Sequence, residues 1–94
     1  MEMFRPKFDW KIGDRVHILR KHNDCLMVAL NGVTHLLSVN NPIGRRLYGW
    51  PVDTMLVIVD KRRITYNHEG KLALPWSDDC VGETYIPVYV KISL

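Results

Sequence analysis

Two arginines, a tyrosine and a tryptophan fall within six residues, in the run Arg45-Arg46-Leu47-Tyr48-Gly49-Trp50. A guanidinium is a planar fork of donors that pairs with phosphate, and an aromatic face stacks on a nucleobase. The combination suits a phosphorylated, planar ligand. Trp76, preceded by Pro75 and followed by Ser77-Asp78-Asp79, sets another aromatic beside carboxylates. Carboxylates accept hydrogen bonds from ribose hydroxyls and base amino groups. Either tryptophan alone fits a core role equally well, since Trp is usually buried with its N–H near a partner.

Catalytic patterns are scarce. The chain has no glycine-rich phosphate loop and no serine in a nucleophile elbow. His17, His22, His35 and His68 lack a compact metal-ligand spacing, so neither a metal nor a cofactor is expected. His35 falls mid-strand on an apolar face, where a structural, hydrogen-bonded role is expected. Asp78, Asp79 and Glu83 are the nearest approach to an acid/base pair, but adjacent aspartates in a turn more commonly cap or face solvent. The expectation is a binding protein rather than an enzyme. Its basic clusters are Arg20-Lys21-His22, Arg45-Arg46 and Lys61-Arg62-Arg63; they read either as phosphate contacts or as solvated turns.

The elements that must position these residues are short strands. Ninety-four residues, 47% hydrophobic and 24% charged, are the length and composition of one globular domain spanning 1–94. Net charge is a mild +3. No apolar run approaches the roughly 20 residues of a membrane helix, and the first residues lack a secretory pattern, so a cytoplasmic location is expected. Cys25 and Cys80 read as buried or half-buried thiols, not as a disulfide framework.

Apolar residues alternate in short runs between turn residues, which predicts a mainly β fold of antiparallel hairpins, a compact sheet or barrel. The strongest signal is Leu26–Leu30, Asn31-Gly32, then Val33–Val39. Asn-Gly accepts the positive φ angles of a type I′ turn, which pairs Leu30 with Val33, Val28 with His35 and Leu26 with Leu37. Both faces of this hairpin are largely apolar, which predicts a central position in the sheet or an oligomer interface. Further strands are expected over Arg15–Leu19 and Thr54–Val59. A second hairpin is expected from Ile64–Tyr66 and Lys71–Leu74, with Gly70 in the turn. The tail Tyr85–Ile92 alternates but carries Pro87, which predicts an edge strand or a bulge. Helix is expected only as one turn near Asp79–Gly82, and Asn40–Pro51 as an irregular loop of the kind that often carries function.

Five pieces recur in order and resemble a phage family, the second Thoeris anti-defence family of small sponge proteins. They are Gly13-Asp14-Arg15-Val16, Leu26–Leu30, Val39-Asn40-Asn41-Pro42-Ile43, Glu69-Gly70-Lys71-Leu72-Ala73-Leu74-Pro75-Trp76, and Asp79-Cys80-Val81-Gly82-Glu83-Thr84-Tyr85. The chain departs from the family in three places. It ends the last piece in Thr84-Tyr85 where the family has Asp-Trp. It lacks the family's Arg-x-Gly-Trp after the first strand. Pro6 interrupts the amphipathic N-terminal helix over Met3–Ile12. The resemblance implies a homo-oligomer, tetramer or dimer, that captures a cyclic nucleotide immune signal in the bacterial cytoplasm without cleaving it. Cyclic ADP-ribose isomers and cyclic oligonucleotides are the implied ligands. Matching positions put Asn40, Trp76 and Asp79 in the ligand site; Arg45, Arg46, Tyr48 and Trp50 join them on chemistry alone.

Three other functions fit the same residues. Phe8–Val16 is similar to the opening of SH3-like barrels, which implies a module that binds nucleic acid or a protein. An inhibitor docking on a host protein needs no small ligand. A nucleotide-processing enzyme would rely first on Asp79.

Overall fold

The computed structural model describes residues 8–92. The chain runs β1 (Arg15–His22), β2 (Cys25–Leu30), β3 (Val33–Ser38), α1 (Pro42–Tyr48), β4 (Met55–Tyr66) and β5 (Gly82–Lys91). All pairings are antiparallel, in the order β3-β2-β1-β4-β5. Strands β1 to β3 form a meander and β4 returns beside β1, which is a Greek key. β5 extends it into a sheet curled halfway to a barrel. Register slips between Ile18 and Arg20 and between Ile58 and Asp60 mark bulges, which bend strands and sharpen their twist.

The Asn31-Gly32 hairpin forms as its residues dictate. Asn31 and Gly32 take φ of 50° and 84°, and the partners are Leu30 with Val33, Val28 with His35 and Leu26 with Leu37. β3 is an edge strand, so the hairpin does not take the central position in the sheet. One face of the hairpin meets the core through Leu26, Val28 and Leu30, while Val33 and Leu36 are about half exposed. Inside the curl, Val16, Ile18, Leu56 and Ile58 pack with these residues and with Leu47 of α1. His35 is buried, with the edge of the Phe8 ring against it, centroids 5.1 Å apart. Cys25 and Cys80 are free and half-buried.

Three expectations need correction. The only helix among the described residues lies inside the stretch read as irregular. Asn41 caps it by accepting from the Ile43 N–H at 2.8 Å, and Pro42 opens it, a start that Asn and Pro favour for physical reasons. Residues near Asp79–Gly82 form turns, and Gly82 already begins β5. The second hairpin is shorter than expected: on the edge of β4 away from β5 it keeps one bridge, Tyr66 with Leu72, and the bonds from Ala73 N–H to the Thr65 carbonyl and from Asn67 N–H to the Lys71 carbonyl. Gly70 still holds a turn with φ of 78°. The edge-strand expectation for Pro87 holds, since β5 ends the sheet. The N-terminal helix question reaches into residues 1–7, outside the described residues; residues 8–12 carry no helix.

Asp14 ties the start of β1 to the hairpin turn. Its carboxylate accepts the Lys11 N–H at 2.9 Å, while Gly13 N–H and Asp14 C=O both pair with Ile58. A hydrogen bond from the Asn31 side chain, then that of Lys11, holds the Asp14 carboxyl below its ordinary value, against the opposing effect of burial. A depressed carboxyl stabilises the fold above its unfolded pKa of about 3.9 and ceases to as pH falls through the lower folded value. Denaturant midpoints should therefore drop on acidification below about pH 4. Asp14→Asn should remove part of that drop while lowering stability at neutral pH by about 1 kcal/mol. An unaltered acid limb in the variant would show that other carboxylates govern it.

Candidate functional site

A cleft of about 280 Å³ opens between the end of α1 and strand β5, lined by Arg46, Trp50, Arg62, Ile86, Pro87, Val88 and Tyr89. Its helix side is set by close packing. Leu47 is fully buried, and Gly44 lies against the Ser38 carbonyl with no room for a side chain. One face of α1 is thereby pinned to the end of β3, and Arg46 projects from the exposed side of its last turn. Trp50 follows directly, its N–H bonded to the Leu47 carbonyl at 3.1 Å. The Thr54 hydroxyl donates to the Pro51 carbonyl at 2.6 Å, and Asp53 N–H donates to the Ile18 carbonyl at 2.7 Å. These bonds clamp the segment after Trp50 onto β1.

The sheet side comes from β4 and β5. Arg62 stands opposite Ile86 in register, and Tyr89 opposite Ile58 beside the β4 bulge. Among the described residues neither Arg46 nor Arg62 has a salt-bridge partner. No carboxylate among the described residues lines the cleft. The Tyr89 hydroxyl is buried and has no hydrogen-bond partner among the described residues. Burial pushes its phenol pKa up, and the positive charge of Arg46 pulls the other way. A buried hydroxyl without a partner loses on the order of 1–3 kcal/mol. Two free guanidinia, an indole and an unsatisfied phenol suit an anionic, planar ligand.

Of the residues singled out in the sequence, Arg46 and Trp50 meet here. Arg45 does not line the cleft; its Nε donates to the Glu69 carbonyl at 2.7 Å, pinning the turn after β4. Asn40 is part of the same junction, since a Cβ on Gly70 would lie 2.7 Å from the Asn40 carbonyl oxygen. The Tyr48 hydroxyl donates to the Asn23 carbonyl at 2.8 Å, with Lys21 Nζ 5.0 Å from its ring centre. Trp76 is 78% exposed on the loop between β4 and β5. Asp79 is exposed on that loop, its N–H donating to Ser77 Oγ at 3.1 Å. The resemblance-derived set of Asn40, Trp76 and Asp79 is thus absent from the cleft lining.

Arg62 and Tyr89 were missed as site residues. The basic triplet containing Arg62 is plain in the sequence, but nothing local tells which of its members faces a cavity. For Tyr89 there is no local signal at all.

Tyr48→Phe separates support from binding. It should cost about 1 kcal/mol for the lost hydrogen bond and leave affinity for a cleft ligand unchanged in calorimetry. A large loss of affinity would bring Tyr48 into the site.

No family model matches the chain, and comparisons with curated proteins and with solved structures find no match.

Proposed function

We propose that this protein is a non-catalytic binding module for a small nucleotide, held in the cleft between α1 and β5. The observation that carries the reading is that Arg46, Arg62 and Trp50 line one cleft, with neither guanidinium in a salt bridge among the described residues. In this pose the guanidinia take the phosphate, the indole stacks on the base, and Tyr89 donates to a ligand acceptor. The cleft lining offers no carboxylate, histidine or cysteine to act as base or nucleophile, so the ligand is held and released intact. The phage-family resemblance, whose matched positions Asn40, Trp76 and Asp79 lie outside this cleft, suggests a cyclic nucleotide immune signal sequestered by a homo-oligomer in a host cytoplasm.

Calorimetry and thermal shift against cyclic ADP-ribose isomers and cyclic di- and trinucleotides test this directly. Saturable binding, with unchanged ligand recovered after heat release, supports capture. A converted ligand overturns the non-catalytic part. Silence across the panel overturns the nucleotide reading and turns attention to a host protein recovered by pull-down. Salt distinguishes the remaining rival, since a nucleic-acid module loses affinity steeply as salt rises.

A further inference from the structure

Lys61 and Arg62 are consecutive in β4, and successive side chains of a strand leave opposite faces of the sheet. Arg62 lines the cleft above. Lys61 lines another, of about 550 Å³, together with Trp10, Lys11, Ile12 and Tyr85. The two clefts have no residue in common. Arg63, the third member of the basic triplet, is already paired with Glu83 at 2.5 Å. By contrast, Lys11 and Lys61 form no salt bridge among the described residues. Lys61 Nζ instead stands 5.0 Å from the centre of the Tyr85 ring. Tyr85 and Ile12 are 50% and 55% exposed, large apolar surfaces left in water at the mouth of the cleft.

We propose that this cleft is a second binding site, built for one nucleotide unit. Its two ammonium groups take the phosphate, and Trp10 and Tyr85 offer rings to the base. A phosphate is a stronger partner for Lys61 than an aromatic face. Its arrival draws the ammonium off the Tyr85 ring and uncovers that face for stacking. Ile12 supplies apolar contact for the rest of the base. Because the two clefts lie on opposite sides of the β4–β5 hairpin, whose outer strand is the sheet edge, each can be occupied without blocking the other. The unit can be a free nucleotide or one residue of a single strand, and the two sources present the same ring and phosphate.

The test uses the full chain with Trp50→Phe and Trp76→Phe, which leaves Trp10 as the sole indole reporter. Thymidine monophosphate and a short oligothymidylate are titrated while Trp10 fluorescence is followed. A saturable change is expected, weakened about tenfold or more by Lys61→Ala or Lys11→Ala, the loss of a charge-assisted contact. Arg46→Ala and Arg62→Ala should leave it unaltered. Much tighter, steeply salt-dependent binding of the oligomer identifies a single strand as the source; equal affinities identify the free nucleotide. No Trp10 response to either probe, with the fold intact by circular dichroism, overturns the proposal. A response indifferent to both lysine variants overturns it as well. Failure of the α1–β5 cleft is read separately, from calorimetry on Arg46 and Arg62 variants that keep this site whole.

Discussion

Alanine at both Arg46 and Arg62 is expected to abolish nucleotide binding in the α1–β5 cleft while leaving the fold in place. Both side chains are exposed and lack salt-bridge partners among the described residues, so their removal costs little stability. Each guanidinium contributes charge-assisted hydrogen bonds of about 1.5–3 kcal/mol, so a single variant should weaken binding roughly 10- to 100-fold. Tyr89→Phe has a more specific signature. Removing a buried, unpartnered hydroxyl should raise the melting temperature slightly, because the unfavourable desolvation disappears with the group. The same change deletes the donor that a ligand satisfies, so affinity should fall. A variant more stable yet weaker in binding is what a functional hydroxyl produces. Lower stability would instead assign the hydroxyl a structural partner, and unchanged affinity would remove it from the site.

Gly44→Ala is expected to be strongly destabilising. In an exposed helix interior, alanine is better than glycine by about 1 kcal/mol. Here the sign reverses. A Cβ at Gly44 would fall on the Ser38 carbonyl oxygen, deep inside van der Waals contact, and 3.2 Å from Leu37 Cβ. Neither neighbour is the flexible end of a side chain, so α1 must lift from β3. Leu47, fully buried below the helix, would lose packing as it rises. A destabilisation of roughly 2–4 kcal/mol follows from overpacking and lost core contact together. Urea denaturation reads it directly. The shifted helix also carries Arg46 and Trp50, so nucleotide affinity should fall even where the variant remains folded. A neutral or stabilising result would show that α1 is not seated as described.

The legible parts of the fold are those with local causes. Asn31-Gly32 determines its own turn and, through period-two alternation, the pairing of every residue in β2 and β3. Gly70 takes its positive φ because the turn after β4 demands it. The tail strand with Pro87 reads as an edge because a residue without an amide donor is poorly placed between two strands. Helix α1 was legible in principle. Asn41 followed by Pro42 is a start signal, but seven residues are too few for a hydrophobic period to stand out. The expected second hairpin formed only in part. Thr65 and Tyr66 pair with Ala73 and Leu72 along one edge of β4 while β5 takes the other. Pairing with β5 runs from Leu56 to Tyr66 and includes the buried Ile86, whereas Leu72 and Leu74 are exposed and the local pairing stays short.

The same division separates the site residues. By itself the sequence determined that Arg46 and Trp50 are near one another, because four residues of chain cannot part them far, and that their chemistry suits phosphate and base. Only the tertiary structure decided that Arg62 and Tyr89 complete the cleft with them. It also decided that Arg45 and Tyr48, equally plausible by type, are occupied in holding the turn after β4 and the β1–β2 turn. Strand alternation sends Lys61 and Arg62 to opposite faces, but which face carries a cavity depends on where α1 and the N-terminal segment pack. A residue's chemistry is written in its side chain. Its partners come from long-range pairings whose competition no short stretch of sequence records.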